Sequence, residues 1–311
     1  MRSISYERTL RRPLRSMAAR LLPPVPAGCR RIVVSGLPRS GTSWIARVLS
    51  LSPGVSYYFE PDHLLDARYR YRYLSRSAHD GGLAKHLEAA FAGQLAHHYV
   101  IAEQGWKELL GRSHSHTVLL KWVHLVLALD WVAQQLPEIV VIQTVRHPVP
   151  LALSWQARGW EFRYALRQLT RQEDLMRGPL EPFQDVLNGA RTYWEQVGAF
   201  WGAVTYLQWR FHRKGWILRE HEWYCLHPLS RFKDVADLLG LAWSDQMTAF
   251  LTDPDRPAGP GYGRPRNPRS EIHKWEGTLS PRELGELRAV VARFDLPFYR
   301  DLDPEAHWSG G

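Results

Sequence analysis

Residues 31–44 read RIVVSGLPRSGTSW, an apolar run that breaks into a glycine-bounded loop and then into a helical pattern. Ile32, Val33 and Val34 are β-branched and suit a strand buried in a parallel sheet. Gly36 and Gly41 permit a tight turn, and the successive backbone N–H groups of such a loop form an anion cradle at a helix N-terminus. The glycine spacing matches the nucleotide-triphosphatase pattern G-x-x-x-x-G-K-S/T, but Thr42 stands where that pattern has lysine. The cation lies three residues earlier, at Arg39. The loop reads as a phosphate cradle without the lysine of an ordinary ATPase.

Composition sets the outer limits. A chain of 311 residues, 45% hydrophobic and with 14 tryptophans, can bury a large core as one α/β domain. Two cysteines, Cys29 and Cys225, make neither a disulfide framework nor a metal set, which suits a reducing, cytoplasmic compartment. The net charge of +9 suggests nucleic acid until it is located: eight arginines and one acid fall in residues 1–31, so seven of the nine charges sit there. The body is nearly neutral, and no nucleic-acid footprint is expected. We divide the chain into a basic segment, 1–28, and a single domain, 29–311. The segment carries Leu10, Leu14, Met17, Leu21 and Leu22 at roughly helical spacing, compatible with a docked helix or with peripheral contact at a membrane surface. No run approaches the ~18 apolar residues needed to span a bilayer. Nothing in the composition fixes an oligomeric state.

Strand-like runs alternate with longer helical patterns, as a parallel sheet with crossover helices requires. Strands are predicted near 31–35, 55–59, 117–121, 139–145 and 215–220, and helices over 42–51, 82–104, 124–136, 149–158, 185–213, 229–240 and 280–293. The stretch 253–270, with five prolines, three glycines and four arginines, is predicted to be a long irregular loop. A second motif lies in IVVIQTVRHPVPLALSW, residues 139–155. There an apolar strand ends at Arg146, Pro148 and Pro150 preset a helix start, and Ser154 falls about one turn into that helix. Arg146 and Ser154 can face one anion, as a guanidinium fork and a hydroxyl beside a helix N-terminus. The plain alternative is a structural ion pair and a solvent-facing serine.

Together, PRSGTSW after one strand and R-H-P-x(5)-S after a later one resemble the sulfotransferase superfamily that uses 3′-phosphoadenosine-5′-phosphosulfate (PAPS). Tyr58-Phe59-Glu60-Pro61 is similar to the F-E-P segment of bacterial and carbohydrate-type members, and Leu119 through His124 to their L-L-K-x-x-H block. His221-Glu222 through Pro228 to Leu239-Gly240-Leu241 resembles a further shared element, with Trp223 and Tyr224 replacing its usual Asp-Leu. Arg269-Ser270 through Lys274-Trp275 resembles the C-terminal segment that closes over the nucleotide. The resemblance implies a three-layer α/β fold of the P-loop nucleotide-hydrolase type, with a parallel sheet of about five strands flanked by helices. It implies that PAPS is the co-substrate, that Pro38, Arg39, Ser40, Gly41, Thr42, Ser43 and Trp44 hold its 5′ end, that Arg146 and Ser154 hold its 3′-phosphate, and that Arg269, Ser270 and Lys274 close the site. The acceptor would carry a hydroxyl group, on a carbohydrate or a natural-product small molecule.

Sulfuryl transfer is mostly positioning and charge stabilisation. Arg39 is placed to stabilise the departing 5′-phosphate, and its high pKa makes it an electrostatic group rather than a proton donor. Glu60, just past a predicted strand, is a candidate general base, with capping or ion pairing as its plain alternative. His124 competes with it, although a histidine at an apolar helix start is commonly a core residue. Lys121 either contacts the phosphosulfate or acceptor, or forms a structural salt bridge. His63, His114 and His116 match no closed zinc set, and no metal is expected. Arginines 68, 70 and 72 alternate with tyrosines 69, 71 and 73, which suits a polyanion or simply an amphiphilic segment. Trp155, Trp160 and Phe162 line either an apolar acceptor site or the core. Two other classes stay open at this level: a P-loop kinase or hydrolase using Mg·ATP, and a non-enzymatic nucleotide binder on the same fold.

Overall fold

Five strands pair in one wholly parallel sheet: β1 (Arg30–Ser35), β2 (Val55–Phe59), β3 (Thr117–Trp122), β4 (Val140–Val145) and β5 (Ile217–Glu220), in the order β2-β3-β1-β4-β5. The structure, a computed structural model, describes residues 16–253 and 268–304. Most of the basic segment, residues 1–15, and most of the proline-rich loop, residues 254–267, lie outside the described residues. Each strand falls within about two residues of its predicted place; the central β1, β3 and β4 are short, mostly apolar runs that the sheet buries on both faces, while the edge strands β2 and β5 are partly polar.

Helices cover both faces. Nine have seven residues or more among those described: α1 (Thr42–Leu49), α2 (Gly81–Phe91), α3 (Leu129–Gln135), α4 (Pro148–Gln156), α5 (Phe162–Thr170), α6 (Tyr193–Arg210), α7 (Pro228–Leu238), α8 (Asp245–Thr252) and α9 (Pro281–Ala292). The two-residue alternation of β1 divides its core. Ile32 and Val34 pack with Ile45, Val48 and Leu49 of α1 and with Phe232 of α7. Val33 packs on the opposite face with Leu83 and Leu87 of α2 and Val132 of α3. A third cluster, containing Trp155, Phe162, Phe200, Trp201 and Leu287, joins α4, α5, α6 and α9 beyond the end of β4. This is the three-layer α/β arrangement that the alternation of elements implies.

Several predicted helices are too long. The one expected over 82–104 ends at Phe91, because Gly93 takes a left-handed φ of 68° and lies against Tyr58, where a side chain would collide. The one expected over 124–136 begins only at Leu129, since Asp62 accepts the backbone N–H groups of Val123 (2.8 Å) and His124 (2.6 Å) and holds that stretch as a turn. The one expected over 185–213 is two helices, Gln184–Gly189 and α6, the second started by a capping box of Thr192 and Glu195. Helices α5 and α8 fall where the sequence pattern predicts no helix.

The N-terminal stretch is tied down from residue 16. Residues 16–21 are helical, Ala19 is buried, and the Arg112 guanidinium donates to the carbonyls of Ala19 (2.8 Å) and Pro23 (2.7 Å). No helix among the described residues is long and apolar enough to cross a membrane.

The chain leaves β1 for β2 and β3 on one side of the sheet and for β4 and β5 on the other. The carboxyl end of β1 is therefore the switch point at which open α/β sheets bind ligands. The segments that follow all five strands converge at this edge.

Candidate active site

Strand β1 delivers the loop from Gly36 to Gly41 to this edge. A Cβ on Gly36 would lie 2.5 Å from the Thr144 carbonyl oxygen, so only glycine lets the loop pass so near β4. Gly41, at φ 90°, starts α1, and a Cβ there would fall on the ring of His221. Arg39 also has a left-handed φ, 76°, a costly conformation for a residue with a side chain and one that gathers at functional sites. Ser40 is buried and donates to the Leu37 carbonyl (2.7 Å), closing the turn. Thr42 is buried at the first position of α1, and Ser43 is half-buried beside it. The Trp44 ring packs edge-on against Phe232 (5.0 Å between centroids) and His221 (5.8 Å), which makes it a support beneath the loop.

The second motif meets this loop directly. Arg146, just past β4, donates from Nη1 to the Arg39 carbonyl (2.8 Å), and its own carbonyl accepts the indole N–H of Trp201 on α6 (2.8 Å). Ser154 lies nearly two turns into α4 rather than one, because the helix already begins at Pro148; its Oγ accepts Arg39 Nε at 2.9 Å. Trp155 donates to the Pro38 carbonyl (2.9 Å). The result is a cleft of about 450 Å³ lined by Arg39, Arg146, Ser154, Arg158, Lys274 and Trp275. Four cations face one small space. The buried Arg146 Nε has no hydrogen-bond partner among the described residues, so a charged donor is left to be satisfied. Lys274 is paired with Glu271 on the rim, while Arg269 and Ser270 lie on an exposed turn and do not line the cleft. The C-terminal segment is locked by Trp275, which stacks on His147 at 4.2 Å, and by the Leu302 carbonyl, 2.9 Å from His147 Nε2. Burial holds His147 down to a pKa of about 3, so its ring is neutral.

A second cavity, of about 590 Å³, opens on the other side of the same loop. Pro38 lines it where Arg39 lines the first. Its inner end holds Glu60 and His124, and its walls are largely aromatic, with Tyr71, Tyr99, Trp155, Trp160 and Tyr164. Segments 62–116 and 156–190 both contribute. Phe162 instead stacks on Trp155 (4.3 Å) in the core. Glu60 has a left-handed φ of 42°, and its backbone N–H donates to the Lys121 carbonyl (2.7 Å). One carboxylate oxygen pairs with the buried Lys121 ammonium and the other accepts the Tyr99 hydroxyl. Burial alone would raise the Glu60 pKa, but the Lys121 charge and these two hydrogen bonds prevail and hold it below the usual carboxylate range. Two residues on, Asp62 is fully buried; desolvation, then the nearby Glu60 charge, push its pKa up to about 6. Burial and then Arg70 depress His124 to about 4, so its imidazole is neutral at pH 7, and its Nδ1 has no partner among the described residues.

Sequence reasoning passed over Tyr99, Asp62 and Arg158. Tyr99 lay inside a predicted helix that the structure breaks, and no local pattern marks it. Asp62 acts through backbone N–H groups, which leave no trace in residue identities. Arg158 was legible in principle, four residues after Ser154. No group of three or more His, Cys, Asp or Glu side chains among the described residues is arranged to hold a metal ion.

These features can be set beside known proteins. No curated protein matches the chain significantly by sequence. Among solved structures, the chain is similar to a sulfotransferase from Alicyclobacillus acidocaldarius, at 18% identity over 89% of this chain and 98% of that one (TM-score 0.45). It is similar to the sulfotransferase domain of the Synechococcus PCC 7002 olefin synthase, at 16% identity over 88% and 98% (TM-score 0.47). It is also similar to a mouse sulfotransferase complexed with PAP, at 15% identity over 90% and 88% (TM-score 0.46). The family model described as "Sulfotransferase family" matches residues 31–245, from the first residues of β1 through α7 and into α8. The span includes the loop after β1, Glu60, Lys121, His124, Arg146 and Ser154, and the chain belongs to the sulfotransferase family.

Proposed function

We propose that this sulfotransferase takes its sulfuryl group from PAPS held in the smaller cleft and passes it to a hydroxyl held in the larger cavity. One observation carries the reading: the two spaces meet at a single turn, with Arg39 lining one and Pro38 the other. PAPS supplies a sulfuryl group on a good phosphate leaving group; the chain supplies position and charge. Arg146, Ser154 and Arg158 suit the 3′-phosphate, and Lys274 the rim above it. The N–H groups from Arg39 to Ser43 and the Arg39 guanidinium suit the 5′ end. As the acceptor oxygen bonds to sulfur and the bond from sulfur to the 5′-phosphate breaks, Arg39 holds the charge that builds on the phosphate. Glu60 takes the acceptor's hydroxyl proton. Lys121 keeps that carboxylate ionised and Tyr99 orients it. A second reading, with His124 as base, is favoured by its neutral ring and unpartnered Nδ1. The arginines of residues 1–31 suit contact with an anionic lipid surface of the cytoplasm.

Thermal-shift titration with 3′-phosphoadenosine-5′-phosphate (PAP) tests the donor. PAP should stabilise the protein without magnesium, and Arg146→Ala should weaken it by about 2–5 kcal/mol, the range for unpairing a buried charge. Preferential stabilisation by Mg·ATP, or unchanged PAP affinity in Arg146→Ala, would overturn the assignment.

A further inference from the structure

The walls of the larger cavity are not uniform in charge. Glu60 is matched by Lys121, which leaves Arg70 as the one basic side chain besides histidine among the described residues that line this space. Its guanidinium makes no hydrogen bond or ion pair with any described residue. The alternation of residues 68–73 explains how it comes to be there. Tyr69 and Tyr71 turn inward and are buried, so Arg68, Arg70 and Arg72 face outward. Tyr71 adds a wall to the cavity, and Arg70 stands at its lip. Across the mouth, Trp160 and Tyr164 are 43% and 61% exposed, and Arg163 and Arg167 of α5 are exposed beside them. The one acid on that lip, Glu161, precedes α5 at its N-cap.

Two requirements follow for whatever fills the cavity. The aromatic walls and a volume of about 590 Å³ suit a flat, largely apolar body of small-molecule size. Such a body displaces water from Arg70, and a guanidinium desolvated without a partner is costly. A neutral ligand bears that cost; one carrying an anion returns it through a forked, charge-assisted pair. The same pair fixes which end of the ligand faces inward.

We propose, resting on the assignment of this cavity to the acceptor, that the acceptor is an anionic aromatic alcohol: a planar hydroxy compound whose carboxylate or phosphate pairs with Arg70 while its hydroxyl reaches Glu60 and His124. Arg70 is then the residue that sets acceptor specificity. From the lip, its charge still reaches His124 and opposes protonation of that ring, so the two groups face one space.

Two probes of equal skeleton test this: 6-hydroxy-2-naphthoate and neutral 2-naphthol, each titrated by tryptophan fluorescence in saturating PAP and assayed for sulfation with PAPS. The wild type should bind the hydroxy acid more tightly, with a KM ~10-fold or more below that of 2-naphthol, the value of one charge-assisted hydrogen bond. In Arg70→Ala the ratio of the two KM values should fall towards one, and Arg70→Lys should restore part of it. Arg70 is exposed, so neither change should disturb the fold. A ratio that survives in Arg70→Ala, a wild-type preference for 2-naphthol, or no binding of the hydroxy acid while PAP still stabilises the protein would overturn the proposal alone. Failure of PAP to stabilise would instead overturn the donor assignment beneath it.

Discussion

Glu60 and His124 line the same cavity, and on the proposed assignment each is available as a base for a different reason. The Lys121 charge holds Glu60 ionised, and burial holds His124 neutral. A carboxylate stabilised in this way is a weaker base but is never protonated at working pH. We expect Glu60→Gln to lower turnover ~10²-fold or more with PAP binding retained, since the amide keeps the shape and loses the proton acceptor. Steady-state rates and a PAP titration on both single variants decide the matter. If Glu60→Gln stays active while His124→Ala is dead, the imidazole is the base. The Glu60 role could be posed from sequence because an acid after a strand end is visible there. Its two partners could not be weighed in the same way: Lys121 was one of two equal readings, and Tyr99 arrives from 39 residues away only because Gly93 breaks the preceding helix.

At the level of elements, the two motif loops were legible because each couples a buried strand to turn-forming residues whose backbone demands are fixed. Gly36, Gly41, Pro148 and Pro150 leave few conformations open, so the sequence around them determines where the chain goes. Segments 62–116 and 156–190 lack such punctuation, and their course is decided by tertiary contacts: Asp62 holding the turn after β3, and Phe162 burying one face of α5. The loop after β1 also makes a demand that can be tested. Gly41→Ala would force a side chain into a left-handed position and against the His221 ring. Strain of that kind costs about 1–3 kcal/mol. The variant should unfold at lower denaturant and lose its stabilisation by PAP; a protein of unchanged stability that still binds PAP would show that the cradle is not set by this turn.

Across the whole molecule, the sheet edge is closed by a C-terminal segment that rests on buried polar groups. His147 lies between Trp275 and the Leu302 carbonyl, and beside it the buried Glu222 accepts the Tyr299 hydroxyl. A histidine whose folded pKa lies near 3, against 6.5 when unfolded, contributes stability that is fully present above about 6.5 and is lost as the pH falls towards 3. The buried carboxyls Asp62 and Glu103, raised by burial to about 6 and about 7, act in the opposite sense, adding stability in acid that disappears as the pH rises through those values. Total acid stability therefore hides the His147 contribution, but a comparison of variants isolates it. His147→Gln keeps a donor for Leu302 and cannot titrate. The stability gap between wild type and this variant should narrow below pH 6.5 by up to ~1.4 kcal/mol per pH unit, as read by denaturant unfolding. A gap constant from pH 7.5 to 5 would show that the ring is not held neutral.

The turn at Pro38 and Arg39 is a partition two residues thick, with a face on each chamber. A molecule long enough to reach around it would occupy both chambers at once, and its second half would bind as an intramolecular event, at the effective concentration set by a tether of only a few atoms. Two weak fragments, one shaped for the cations of the cleft and one for the aromatic walls, would in this enzyme be joined across its thinnest point. If the two chambers hold donor and acceptor as proposed, the wall between them is also the shortest bridge along which one inhibitor could hold both.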